Sequence, residues 1–175
     1  FERLVMKVVP ENSVRLLELK SGDVHAIDGL QPAELASLAS DPMFTVYQRP
    51  GMNVGYLTFN MQDSRFMADE VRLAIALAID RSKLVEVALD GAGSVANYPI
   101  PPGFLGIPEK GDPIPYDPER AREILAAHAE LLNKRIKLQV MSQPRPFFPD
   151  PIKVASFIRS ELEKVGLSFD IEVKD

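Results

Sequence analysis

Ile136-Lys137-Leu138-Gln139-Val140, then Asp150-Pro151 running through Val154, Phe157, Ile158 and Leu162 to Val165-Gly166, then Phe169-Asp170-Ile171-Glu172-Val173: these three stretches decide the fold. The outer two alternate apolar and polar residues, the period of a strand with two unlike faces. The middle one repeats apolar residues at helical spacing, opens with an acid before proline and stops at glycine. Strand, helix and strand in that order predict a β-α-β unit. A connection through a helix of this length brings the second strand back parallel to the first, with a right-handed crossover. The fold class expected is therefore α/β.

Upstream, the clearest helix starts at Asp69, with Val71, Ala74, Ile75, Ala78 and Ile79 on one face and Glu70, Arg72 and Asp80 off it. Asp80 is placed to cap a further helix through Leu84, Val85, Ala88 and Leu89 that ends at Gly91, and Asp117-Pro118-Glu119 opens another with Ala121, Ile124 and Leu125 inward. Near the start, Leu4 to Val9 predicts a strand, with Asn12 or Ser13 capping a helix to Lys20 before Gly22. Val24 to Ile27 predicts a second strand, followed by a helix from Pro32 to Ala39. Thr45 to Tyr47 and Gly55 to Phe59 are two more strand candidates. Residues 91–116 hold Pro99, Pro101, Pro102, Pro108, Pro113 and Pro115, a density that no regular element tolerates. An ordered extended loop is expected there, because Tyr98, Ile100, Phe104, Leu105 and Ile107 give it apolar groups to bury.

Composition excludes several functions. The 175 residues carry 20 Lys and Arg against 25 Asp and Glu, a net charge of -5 with no basic cluster for a phosphate backbone, so nucleic acid is not an expected partner. With no cysteine there are no disulfides, thiolate metal sites or cysteine nucleophiles. No apolar run is long enough to cross a bilayer, and Phe1-Glu2-Arg3-Leu4 does not open like a secretory signal.

Candidate chemistry is sparse. Gly91-Ala92-Gly93-Ser94-Val95-Ala96 fits a dinucleotide pattern, but it follows a helix, and Pro99 prevents the helix that would receive the pyrophosphate. His25 and His128 are far apart and lack partners at ligand spacing, so both are expected to be surface or edge histidines. Asp69-Glu70 point in different directions on a helix and fit its N-terminus better than an acid pair. No nucleophile elbow, phosphate loop, zinc helix or calcium loop is present, so neither an enzyme nor a metal or cofactor site is expected. The remaining feature is Ser142-Gln143-Pro144-Arg145-Pro146-Phe147-Phe148-Pro149-Asp150, after a strand and before a helix, where open α/β sheets place their ligands. A guanidinium between prolines offers a planar fork for a carboxylate, with Phe147 and Phe148 as apolar walls. On residue type alone, a solvated surface arginine and two core phenylalanines account for the same loop.

Several motifs in register resemble one family: the peptide- and nickel-type solute-binding proteins (family 5) that serve ABC importers, its dipeptide-binding members above all. Leu16 to Ile27 resembles a family segment, with His25 where an aspartate is usual. Tyr56-Leu57-Thr58-Phe59-Asn60 resembles the family strand ending in Phe-Asn, and Val71 to Arg81 its most recognisable helix, with Leu73 in place of a common glutamine. Asn97 to Gly103 and Tyr116 to Ala121 follow in the family's order, whereas His128-Ala129-Glu130-Leu131-Leu132 replaces a common Gly-Tyr turn. Arg145-Pro146-Phe147-Phe148-Pro149-Asp150 resembles the segment whose arginine holds the peptide's C-terminal carboxylate.

The resemblance implies a fragment of a two-lobed, type II periplasmic-binding-protein-like fold. Residues 1–62 would be part of the first lobe and 63–175 the start of the second, with a crossing segment near 60–66. It implies a periplasmic or extracellular receptor, soluble or lipid-anchored, that binds extended di- or oligopeptides, delivers them to an ABC permease and performs no chemistry. The acid for the peptide's amino group would lie downstream of Asp175. A nickel chelate, heme, an oligosaccharide or an opine are alternative ligands, and a sensor or chaperone is an alternative role. Scarce aromatics argue against sugars. Surfaces that would meet missing segments predict self-association of the 175 residues.

Overall fold

The computed structural model describes residues 2–49, 51–101, 104, 106, 113–145 and 148–175. They divide into two compact units, Phe1–Gln48 and Arg49–Asp175. The polar stretch 60–66, expected as a crossing between lobes, holds a turn and the 3-10 helix Ser64–Phe66 inside the second unit.

The first unit contains α1 (Asn12–Ser21) and α2 (Pro32–Ala39). Both were expected, but the start of α1 differs: Glu11 holds the N-cap position without a side-chain bond, and Asn12 is already helical, its Oδ1 accepting from Arg15. Gly22 ends the helix with φ 83°, where a side chain would be strained. At α2, the Glu34 carboxylate accepts from the Gln31 backbone N–H at 2.9 Å.

The strands expected at Leu4–Val9, Val24–Ile27 and Thr45–Tyr47 do not form, nor does that at Gly55–Phe59 in the second unit. A strand exists only through a neighbouring ladder, and none of these stretches finds one among the described residues. Side chains hold the first stretch instead: Lys7 Nζ lies 2.7 Å from Glu18 Oε1, and Arg15 Nη1 donates to Val9 O at 2.6 Å. Val24 N–H closes the end of α1 by donating to Glu18 O.

The second unit holds α3 (Asp69–Leu77), α4 (Arg81–Leu89), α5 (Pro118–Ala126), α6 (Ala129–Leu132), β1 (Arg135–Met141), α7 (Pro151–Glu163) and β2 (Ser168–Lys174). The order β1-α7-β2 is the expected unit, and the strands pair parallel, with Ile136 opposite Phe169 and Val140 opposite Val173. Ile136, Leu138 and Phe169 are buried on one face, against α7. The other face is polar, with Arg135 paired to Asp170 and Lys137 to Glu172.

Asp80, Asp117 and Asp150 each accept from the backbone N–H three residues on, the N-caps expected for α4, α5 and α7. Asp69 and Glu70 occupy the first turn of α3, complementing its dipole; the capping position itself is Ala68. Helix α4 ends at Leu89 and is capped by Asp90, left-handed with φ 47°, one residue before the expected Gly91. Between α4 and α5 the described residues of the proline-rich loop contain no regular element.

One core unites these pieces. Val71, Ala74, Ile75 and Leu77 of α3 pack in one cluster with Ala121 and Leu125 of α5, Leu131 of α6, Leu162 of α7 and the inner faces of both strands. Each large side chain removed from water here stabilises the unit by roughly 1.5–3 kcal/mol. Backbone ties close the assembly: Asp117 N–H donates to Leu77 O at 2.9 Å, and Arg122 Nε to Lys164 O at 3.2 Å.

Candidate functional site

The parallel ladder runs one residue beyond β1, where Ser142 N–H donates to Lys174 O at 2.8 Å and Ser142 Oγ to Asp175 Oδ1 at 2.5 Å. The chain then leaves the sheet at the carboxyl ends of its strands and reaches α7 at Asp150, whose carboxylate accepts from Lys153 N–H at 2.9 Å. Between these two anchors, Arg145 and Phe148 form an isolated antiparallel bridge, each backbone N–H donating to the other's carbonyl at 2.9 Å.

Arg145 is exposed, and among the described residues no side-chain hydrogen bond or ion pair engages its guanidinium. Phe148 is half-buried and lies against Gly55: a Cβ built there would stand 2.6 Å from Phe148 Cε2 and 3.1 Å from Cζ. Phe147, the other expected apolar wall, lies outside the described residues, as does Pro146. The loop therefore presents an exposed guanidinium from a backbone tied at Ser142, at the 145–148 bridge and at Asp150. A planar cation held in this way is suited to a carboxylate, to which it can donate two parallel hydrogen bonds.

Sequence reading missed Gly55 as part of this arrangement. A glycine in an apparent strand can signal close backbone approach, and Gly55 opens the expected strand Gly55–Phe59.

The other candidates come to less. His25 is exposed. His128 lies with Nδ1 3.3 Å from Glu130 Oε1 and Nε2 3.9 Å from Glu70 Oε1, so it does have carboxylate neighbours, and His128 helps hold the Glu130 carboxyl below its ordinary range, after the stronger effect of a backbone hydrogen bond. Among the described residues, no cluster of potential ligands could hold a metal ion.

A cleft of about 260 Å³ opens between the start of α4 and the proline-rich loop, lined by Ile79, Asp80, Arg81, Ser82, Val95, Asn97 and residues 113–116. Arg81 spans it, donating to Ala96 O at 3.1 Å and to Ile114 O at 2.6 Å, which ties both ends of the loop to α4. Tyr116 on its wall has its hydroxyl pKa raised, first by burial and then by Glu161. With Arg81 committed to two carbonyls and Asp80 to its cap, this cleft reads as loop anchorage.

The second unit is thus α/β, with a two-stranded parallel sheet and an exposed arginine on the loop at the carboxyl end of β1. Solved structures agree. An ABC transporter-associated periplasmic binding protein of Helicobacter pylori, in complex with the peptide STSA, superposes with a TM-score of 0.78 at 28% identity, over 97% of this chain and 32% of that one. The class is thus a periplasmic-binding-protein fold, of which these residues form part.

The particular family follows from the sequence. All of residues 1–175 match the bacterial extracellular solute-binding proteins, family 5 Middle, and the chain belongs to that family. Heme-binding protein A of Haemophilus influenzae is 30% identical over 95% of this chain and 30% of its own length. The dipeptide-binding protein of Escherichia coli K12 is 29% identical over 97% of this chain and 32% of its own. The chain spans about a third of the length of these relatives.

Proposed function

We propose that the complete protein is the extracytoplasmic receptor of an ABC importer, that it binds di- or oligopeptides, and that Arg145 receives the peptide's C-terminal carboxylate. The observation that carries this reading is the exposed guanidinium on a loop pinned on both sides, at the carboxyl end of a parallel strand. Relatives described as dipeptide-binding support the ligand class. The second half of the cleft and the acid for the peptide's amino group belong to the rest of the protein. Binding is followed by hinge closure and transfer to a membrane permease, with no bond made or broken.

Heme is the second reading, because a relative of equal similarity is named for it. A carboxylate-bearing ligand other than a peptide would use the same arginine.

Calorimetric titration of the complete protein with dipeptides, a nickel chelate, heme and an oligosaccharide separates these readings. Saturable heat with dipeptides is expected. Tight binding of heme or a chelate, with none of any peptide, would overturn the peptide reading.

A further inference from the structure

Most of the described glycines are there for their backbone. Gly22, Gly29, Gly91, Gly106 and Gly166 all have positive φ, between 69° and 89°. Gly55 does not, so nothing in its conformation forbids a side chain. What it lacks is space. A Cβ at Gly55 would meet three atoms of one aromatic ring, Phe148 Cε2 at 2.6 Å, Cζ at 3.1 Å and Cδ2 at 3.4 Å. Real Cβ atoms essentially never approach within 3.0 Å, and a planar ring with two torsions can escape only by swinging as a whole.

Phe148 is also the backbone partner of Arg145, through two hydrogen bonds of 2.9 Å. A displaced ring therefore pulls on the residue that carries the cation. Ser142 and Asp150 fix the ends of the loop, and the contact of Phe148 with Gly55 is a tie between them.

We infer that Gly55 is a positioning residue for the ligand-binding arginine: its missing side chain seats the Phe148 ring, and the seated Phe148 holds Arg145 at the ligand through the paired backbone hydrogen bonds. This rests on the proposal that Arg145 receives a carboxylate. Gly55 touches no ligand in this account, and its effect is on where the guanidinium stands. An alanine at Gly55 moves the fork off the carboxylate by a fraction of an ångström or more, enough to break a bidentate geometry while a single charge contact survives.

The test compares, in the complete protein, the affinity for a dipeptide with that for the same dipeptide amidated at its C-terminus. The wild type prefers the free carboxylate. Gly55→Ala lowers that preference at least tenfold, whereas a general loss of stability would weaken both ligands alike. In a Phe148→Ala background the ring is gone, and Gly55→Ala then changes the preference less than twofold. Gly93→Ala is the control. Its Cβ would meet Leu89 Cδ1 at 2.8 Å, the movable end of an aliphatic chain, and it leaves the preference unchanged.

If Gly55→Ala does not fold, Phe148→Leu carries the test by emptying the seat without adding an atom, and it lowers the same preference at least fivefold. An unchanged preference in whichever variant folds overturns the inference. A wild type that binds both ligands equally overturns the carboxylate reading instead. Amide hydrogen exchange then judges Gly55 by itself: faster exchange at Arg145 and Phe148 in Gly55→Ala supports the seat, and unchanged exchange rejects it.

Discussion

Residues 2–48 and residues 66–171 carry the same kinds of local signal and are held together differently. Both contain helices opened near a proline or an acid, and in each region one helix, α1 or α4, is closed by a left-handed residue. In the later stretch those helices bury a continuous core. In the earlier one, Leu38 alone among the described residues is a buried hydrophobic, and α1 buries nothing. The apolar Leu4, Met6, Val8 and Tyr47 stay largely exposed. Helix signals are thus sufficient to shape a helix, but tertiary packing supplies most of its stability.

Substitutions should affect the two regions unequally. The largest effect is expected in the packed region: Leu125→Ala, at a site with 0% exposure, costs about 2–5 kcal/mol in urea unfolding. Leu17→Ala in α1, at 66% exposure, costs less than about 0.5 kcal/mol. Equal losses would mean that the first unit has a core of its own.

The caps give the next test. Asp117→Ala removes the bond to Arg120 N–H and costs roughly 0.5–2 kcal/mol by thermal or chemical unfolding, while Glu11→Ala, at a cap position with no side-chain bond, costs a few tenths at most.

Exposed apolar surface in the first unit also predicts that the 175-residue chain associates, and that Leu4→Asp with Val8→Asp reduces its mass in light scattering. A monodisperse wild-type monomer would contradict this.

The smallest effect is that of pH on Asp63. Its hydrogen bonds from Arg65, at 2.9 Å and 2.6 Å, lower its pKa below the ordinary 3.8. A depressed folded value stabilises the protein fully above the unfolded pKa and is lost as pH falls through the folded one. The stability gap between wild type and Asp63→Asn should therefore be constant near neutrality and close below pH 3.8.

The same contrast explains what could be read in advance. The helices were legible because a cap, a proline and a glycine act within a few residues of one another, as at Asp117-Pro118 and Asp150-Pro151. The pair β1 and β2 was legible because its partner strands lie on either side of one helix. Leu4–Val9 was not, since an apolar, β-branched run describes a strand but cannot provide its neighbour. The four-residue α6 escaped because so short a helix has no period to detect.

At the site, Arg145 stood out only in combination with the family resemblance; by itself it is one exposed arginine among others. Phe148 was expected as a wall for ligand and is packed on Gly55, a contact between segments far apart in sequence that no local pattern encodes.

Arg145 is the residue on which carboxylate binding depends in the proposed receptor. Isothermal titration of the complete protein with a dipeptide, before and after Arg145→Ala, is the direct measurement. Losing the charged partner of a desolvated carboxylate should raise Kd by roughly 30-fold or more at unchanged stoichiometry. An unchanged Kd would contradict the assignment of Arg145 to the ligand.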